Sequence, residues 1–349
     1  MKKVLVTFVL ALIAGTLAQA TAQTPAGSDQ QNIPTNQKVI KDPAEYNAYI
    51  AALNTQDQAA KGALMEAFVK QYPQSIVKLE ALQEAMAAYQ AAGNQAKVRE
   101  LAKRILVEDA KNVRALAIVT FFDRSEAKTP DDFAKVKTEA EQGLDSLGSW
   151  TKPEGVSDAD FDKQKTQMKI IFAGAAGFAS LQTKDFAGAA KHLQVALQVD
   201  PSNLEACYQL GIAYLKSTPL DKRGFWYVAK AYGIAKAANN AAGANVVNQN
   251  GLAEYKRYHG GADGWEAFRD AAGAQSAPPA EIAVTPAPTP QEIACKAVQD
   301  NDPATLSLAT GSLSCNTATP ARSATKMLRK KFGQPSRTSK RIPKASRPS

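Results

Sequence analysis

The stretch that most restricts what this chain can fold into is 170–216, which reads IIFAGAAGFASLQTKDFAGAAKHLQVALQVDPSNLEACYQLGIAYLK. Ala173, Ala176, Gly177 and Ser180 or Leu181 recur at helical spacing, and so do Ala189, Leu193 and Ala196. The pattern predicts two helices joined by a tight turn at Gln182–Lys184. Gly177 and Ala189 carry nothing beyond Cβ, so the two helices can approach closely. Asp200-Pro201 stops the second helix, because proline inside it would lose a backbone bond and clash with the preceding turn. Ser202 or Asn203 can cap the helix that follows.

The same notches return one unit later, with Gly211 placed 34 residues after Gly177. On these residues the stretch resembles a tetratricopeptide repeat, whose period is about 34 residues. Gly177, Ala189 and Ala196 match its small positions, Leu193 a large one and Pro201 its closing proline; from Leu204 the next unit matches with Leu210, Gly211 and Tyr214. The resemblance implies an all-α fold, a right-handed α-solenoid of helical hairpins over residues 41–272. It also implies that the first helix of each hairpin lines a concave groove. The positions that would face inward are Arg114, Ala117 and Phe121, then Ile171, Gly174 and Phe178, then Glu205, Tyr208, Ile212 and Lys216. Aromatic residues beside charges suit a peptide or a partner helix, although Phe121 and Phe178 also fit as packing between helices. The family's carboxylate clamp of Lys and Asn is not matched, since Gly174, Phe178 and Ile212 stand there, so chaperone C-termini are not the expected ligand.

Other hairpins are expected on both sides. Pro43–Leu53 and Asp57–Tyr72 form a degenerate first pair; Leu79 opens a clearer one, with Tyr89 inside it and Gly93 at its turn. Val113–Arg124 pairs with Asp131–Leu147, which Thr129-Pro130-Asp131 starts well. Gly148–Asp160 reads as a loop, and Ser217–Gly224 as an insertion where a tight turn would normally sit. Phe225–Ala238 and Ala241–Tyr258 are expected helices; Gly260 and Gly261 end the second, and Asp263 is placed to cap Trp265–Ala272. Trp226 and Trp265 are expected to plug the last layer. The segments GFWYVAKA (224–231) and YKRYHGGADGWEAF (255–268) are similar to exported acidobacterial tetratricopeptide proteins, a resemblance that runs from about Lys41 to Ser307 and supports the architecture alone.

Residues 1–22 read as a signal peptide: Lys2 and Lys3, an apolar core Val4–Leu17, and small residues through Ala18, Ala20 and Ala22. The apolar run is shorter than the about 20 residues of a membrane span. The expectation is therefore a periplasmic or secreted protein with no integral membrane segment after signal removal. Residues 23–40 read as a flexible leader, 273–290 as an extended Pro/Ala linker, and 291–302 as a short helix.

The formal net charge is +9, yet residues 303–349 hold ten Lys or Arg and no acid, so the remainder carries +9 − 10 = −1. Without Lys2 and Lys3 the body is at −3. A nucleic-acid reading would rest on this tail alone, and none is expected. The tail reads as disordered, and its lack of periodicity points to a frameshift near 305–309. Codons compatible with ATGSLSCN (309–316) spell a segment resembling folded protein when shifted by two bases, so a further small module is expected in its place. The alternative is a genuine basic tail touching anionic polymers.

No HExxH, GxSxG, Walker or CxxC pattern is present. His192 reads as a boundary residue and His259 as a helix C-terminal cap. Cys207 fits a buried core position, and the three cysteines, 207, 295 and 315, do not suggest a disulfide framework. The expectation is a non-enzymatic protein–protein interaction scaffold of the cell envelope, without catalytic residues, cofactor or metal. The alternative is an envelope structural or assembly factor contacting polysaccharide.

Overall fold

The computed structural model describes residues 38–153 and 155–300. The expected signal peptide 1–22, the basic tail 303–349 with its expected frameshift, and most of the expected leader lie outside the described residues. The leader's last residues are held: Lys38 Nζ is 2.6 Å from Glu80 Oε1, and Ile40 packs on the N-terminal core.

Thirteen helices follow in order: α1 Pro43–Leu53, α2 Gln58–Gln71, α3 Lys78–Ala91, α4 Gln95–Glu108, α5 Val113–Glu126, α6 Pro130–Ser146, α7 Asp158–Gln182, α8 Phe186–Val199, α9 Leu204–Lys216, α10 Arg223–Ala237, α11 Ala241–His259, α12 Trp265–Ala274 and α13 Pro290–Asp300. No strand occurs among the described residues. From α1 to α11 each helix packs on the next, α12 packs back on α10, and α5, α7 and α9 also touch one another in sequence. The result is an all-α solenoid of stacked hairpins.

Local chemistry explains the starts and turns. Asp42, Asp57, Asn94, Asn112, Thr129, Ser157, Asp185, Asn203 and Asn240 each accept an N-terminal backbone N–H of the helix they precede. Three turns share a device: a left-handed residue, then the capping residue. Gly93 (φ 75°), Lys184 (φ 61°) and Asn239 (φ 54°) precede Asn94, Asp185 and Asn240. The sequence reading of Asp263 as the cap of α12 is corrected: left-handed Gly264 stands at that position, and the Asp263 carboxylate turns back to His259 Nε2 at 3.2 Å. The loop after α6 ends slightly earlier than the expected Asp160: α7 begins at Asp158 and runs 25 residues, so it extends well before Ile170 into the central unit.

Stacking depends on notches. A Cβ built on Gly177 would lie 2.5 Å from Leu193 Cγ, so α8 nests where α7 has no side chain. Gly211 plays the same part for α10, with Val228 N only 2.9 Å from the added Cβ. Ala189, Ala196, Leu193 and Leu210 are fully buried around these contacts, and Tyr214 nearly so. Pro201 lies in the turn between α8 and α9, outside both helices.

The last hairpins bury Phe225, Trp226 and Trp265. The segment expected to be a free linker is extended, but it is not free: Ile282 and Val284 are 4% and 2% exposed, packed into that same cluster. His259 Nδ1 lies 2.9 Å from Thr285 O, and Trp226 Nε1 donates to Gln275 Oε1 at 2.9 Å. Residues 276–286 thus form a strap sealing the end of the stack. Alternate apolar residues in a Pro-rich run gave too weak a pattern to be read as core. Residues from 287 belong to a second compact unit, in which Thr289 and Glu292 cap α13 reciprocally. Cys207 is free and buried, its thiol pushed up to about 12 by burial, whereas Cys295 is disulfide-bonded, which the sequence reading did not anticipate.

Gly211→Ala must push α9 and α10 apart against backbone, at a cost of about 1–3 kcal/mol that exceeds the roughly 1 kcal/mol gain in helix propensity. Its denaturation midpoint should fall. Gly174→Ala meets nothing within 4 Å and should raise the midpoint. Replacing both Ile282 and Val284 by Ser should lower it, since each buried side chain contributes about 1.5–3 kcal/mol; hydrogen exchange should show α12 losing protection first.

Candidate functional site

Between α5, α7 and the start of α9 lies a cavity of about 720 Å³, open to solvent on one side. Such a volume lies within the range of about 300–1,000 Å³ typical of ligand pockets. Phe121 of α5 and Ile171, Gly174 and Phe178 of α7 line it, as the groove reading expected, and Glu205 of α9 stands at its edge. Gly174 leaves open space where a side chain would otherwise fill it. Phe133, from the first turn of α6, meets Phe178 edge-on with centroids 5.9 Å apart. The walls are therefore aromatic and aliphatic.

One charged pair spans the opening. Arg124 donates to Glu205 across 81 residues of sequence and sets its guanidinium over the Phe178 ring, 4.5 Å from the centroid. Glu205 Oε1 also accepts from Gln209 Nε2 at 2.8 Å. The oxygen of that amide, Gln209 Oε1, is buried with no partner among the described residues, and so is the Thr120 hydroxyl; both residues line the cavity.

The remaining groove candidates are elsewhere. Tyr208 accepts Asn250 Nδ2 at 2.8 Å, and Lys216 Nζ lies 2.7 Å from Glu254 Oε1. Ile212 packs on the C-terminal cluster. Tyr208 and Lys216 are thus bonded to side chains of α11 rather than to the cavity. Arg114 sits on α5 outside the cavity; burial lowers its pKa and the Glu84 carboxylate opposes that. Sequence reasoning missed Arg124, Gln209, Thr120 and Phe133. Arg124 could have been found, since it follows Phe121 by three residues and shares its face. Phe133 could not, because its place depends on how α6 turns back.

A charged cluster backs the site on the seam of α4, α5 and α6. Asp123 accepts from Arg99 Nη2 at 2.7 Å and from Lys135 Nζ at 2.5 Å; Lys135 Nζ is 3.6 Å from Glu139 Oε1. Burial and the nearby Asp123 carboxylate push Glu139 up to about 7. The Lys135 and Arg99 bonds hold Asp123 below the usual carboxylate range against the opposing effect of burial. His192 is buried, with Nε2 3.0 Å from Glu141 Oε1. Among the described residues no group of three or more His, Cys, Asp or Glu is arranged to hold a metal, and no helix is long and apolar enough to cross a membrane.

No protein-family profile matches the chain, and no curated protein sequence matches it.

Glu139 gives a pH signature. Unfolded, it loses its proton near the ordinary value of about 4.3; folded, it keeps it to about 7. Between these values the folded chain binds the extra proton, so the glutamate withdraws stability as pH rises. Glu139→Gln should match the parent near pH 4.5 and exceed its denaturation midpoint progressively up to pH 7.5; parallel curves would refute this.

Proposed function

We propose that this chain is an exported, tetratricopeptide-like scaffold with no catalysis of its own, which holds a peptide or partner helix against the side formed by α5, α7 and α9. The observation that carries the reading is the apolar cavity at Gly174 and Phe178, set among the helices that the repeat pattern assigns to a binding face. Supporting it, Arg124 and Glu205, the charged residues of the lining, pair with each other, and Phe121, Phe133 and Phe178 contribute to its wall. Export is proposed from the first 22 residues: the mature chain should begin just after Ala20 or Ala22 when expressed in a Gram-negative host, as read by N-terminal sequencing.

Gly174→Leu places four carbons into the cavity where an added Cβ meets nothing within 4 Å. It should leave the fold intact, judged by circular dichroism, and weaken retention of a protein from envelope extract at least about tenfold, in the range expected for blocking a central contact. A partner retained equally by both forms would sink the groove reading. Retention of glycan alone would favour the structural alternative.

A further inference from the structure

We propose that the strap 276–286 is a pH-sensitive latch: protonated His259 holds its far end on the stack, and loss of that proton loosens the end anchored by Ile282 and Val284.

The geometry around the imidazole carries this. An acceptor faces each ring nitrogen: Nδ1 lies 2.9 Å from Thr285 O, and Nε2 lies 3.2 Å from Asp263 Oδ2. A neutral imidazole has one N–H, and the imidazolium has two. Only the charged ring can donate to both. After deprotonation the strap carbonyl and the carboxylate compete for a single hydrogen, and the loser faces a ring lone pair. Even where the Nδ1–H bond to Thr285 survives, it becomes an ordinary neutral bond, about half as strong as a charge-assisted one.

Nothing else around the ring replaces the proton. Tyr255, one turn earlier on α11, stands 4.9 Å away between centroids, and its phenol donates to Asp263 O. Behind it lie Phe225 of α10 and Trp265 of α12, which do not titrate. Lys256 and Arg257 share the last turn of α11, and Arg257 is turned to Glu254. Glu281 on the strap itself is exposed. The strap carbonyl, and after it Asp263, raise the imidazole above its ordinary value of about 6.5. Linkage is reciprocal: a strap that favours the proton is favoured by it. The contribution is therefore complete below about pH 6.5 and is lost as pH rises through the higher value of the folded chain.

The two ends of the strap are fastened differently. Its start is held without His259: Gln275 Oε1 accepts from Trp226 Nε1 at 2.9 Å, and Gln275 O accepts from Lys230 Nζ at 2.5 Å. The end that loosens leads into the second compact unit, which begins at 287. The latch thus sets how much free chain precedes that unit.

The test follows hydrogen exchange of the full chain from about pH 5.5 to 8.5, on either side of the imidazole titration, with rates corrected for intrinsic base catalysis. Protection of the Val284 amide, which donates to Ile282 O, should fall about tenfold, the scale of a charged bond against a neutral one. The Gln275 amide, bonded to Ala272 O, should not follow. The midpoint should coincide with the titration of His259 itself, read by NMR in a chain with two histidines. His259→Gln keeps a donor for Thr285 but cannot titrate, so Val284 protection should become flat. Asp263→Asn, at a side chain 84% exposed, should keep the fold and move the midpoint to lower pH. Val284 protection that is flat in the parent, a slope that survives His259→Gln, or a midpoint unmoved by Asp263→Asn would each overturn the latch; if His259→Gln does not fold, Asp263→Asn decides alone.

Discussion

How closely one helix can lie on the next decides everything on the inner face. At Gly177 the side chain of Leu193 occupies space that any larger residue would claim, and at Gly143 the ring of Phe172 does the same. Close approach removes the water layer between helices and turns a row of weak contacts into a packed seam, with interior side chains at crystal-like density. It also sets where the helices are not in contact. The cavity lies where Gly174, by contrast, has no neighbour. On α7 one residue type thus serves both a tight seam, at Gly177, and an opening, at Gly174, depending on which face carries it.

Charges follow a complementary rule. The least exposed ones at seams between helices have an opposite partner: Asp123 between Arg99 and Lys135, and Glu254 with Lys216. An unpaired charge there would be costly, while a paired one at least holds register. The cavity itself is spared this traffic. Its single ion pair is partly exposed, so its worth lies in shaping the opening more than in stability.

Much of this architecture was legible in the sequence. Helix starts could be read from Asn112, Thr129, Asn203 and their equivalents, because a capping side chain acts within three residues. The notches at Gly177 and Gly211 were legible because helical spacing exposes which face must be thin. Half of the site could be read too: Phe121 and Phe178 follow from their places on α5 and α7. What was hidden depends on contacts between remote parts. The docking of Ile282 and Val284 required a surface built by α10, α11 and α12. The bonds that tie Tyr208 and Lys216 to Asn250 and Glu254 depended on where α11 comes to lie. The role of Gln209 became visible only once Glu205 claimed one end of its amide.

The bond between Arg124 and Glu205 has a mechanical meaning. In a stack of hairpins, energy is mostly exchanged between nearest neighbours, so the ribbon behaves as a chain of independent hinges. Here α5 and α9, two hairpins apart, are stitched together over the ring of Phe178. The curvature of this section is therefore held by a side-chain tether as well as by packing. Straightening this section and parting that tether are therefore one motion.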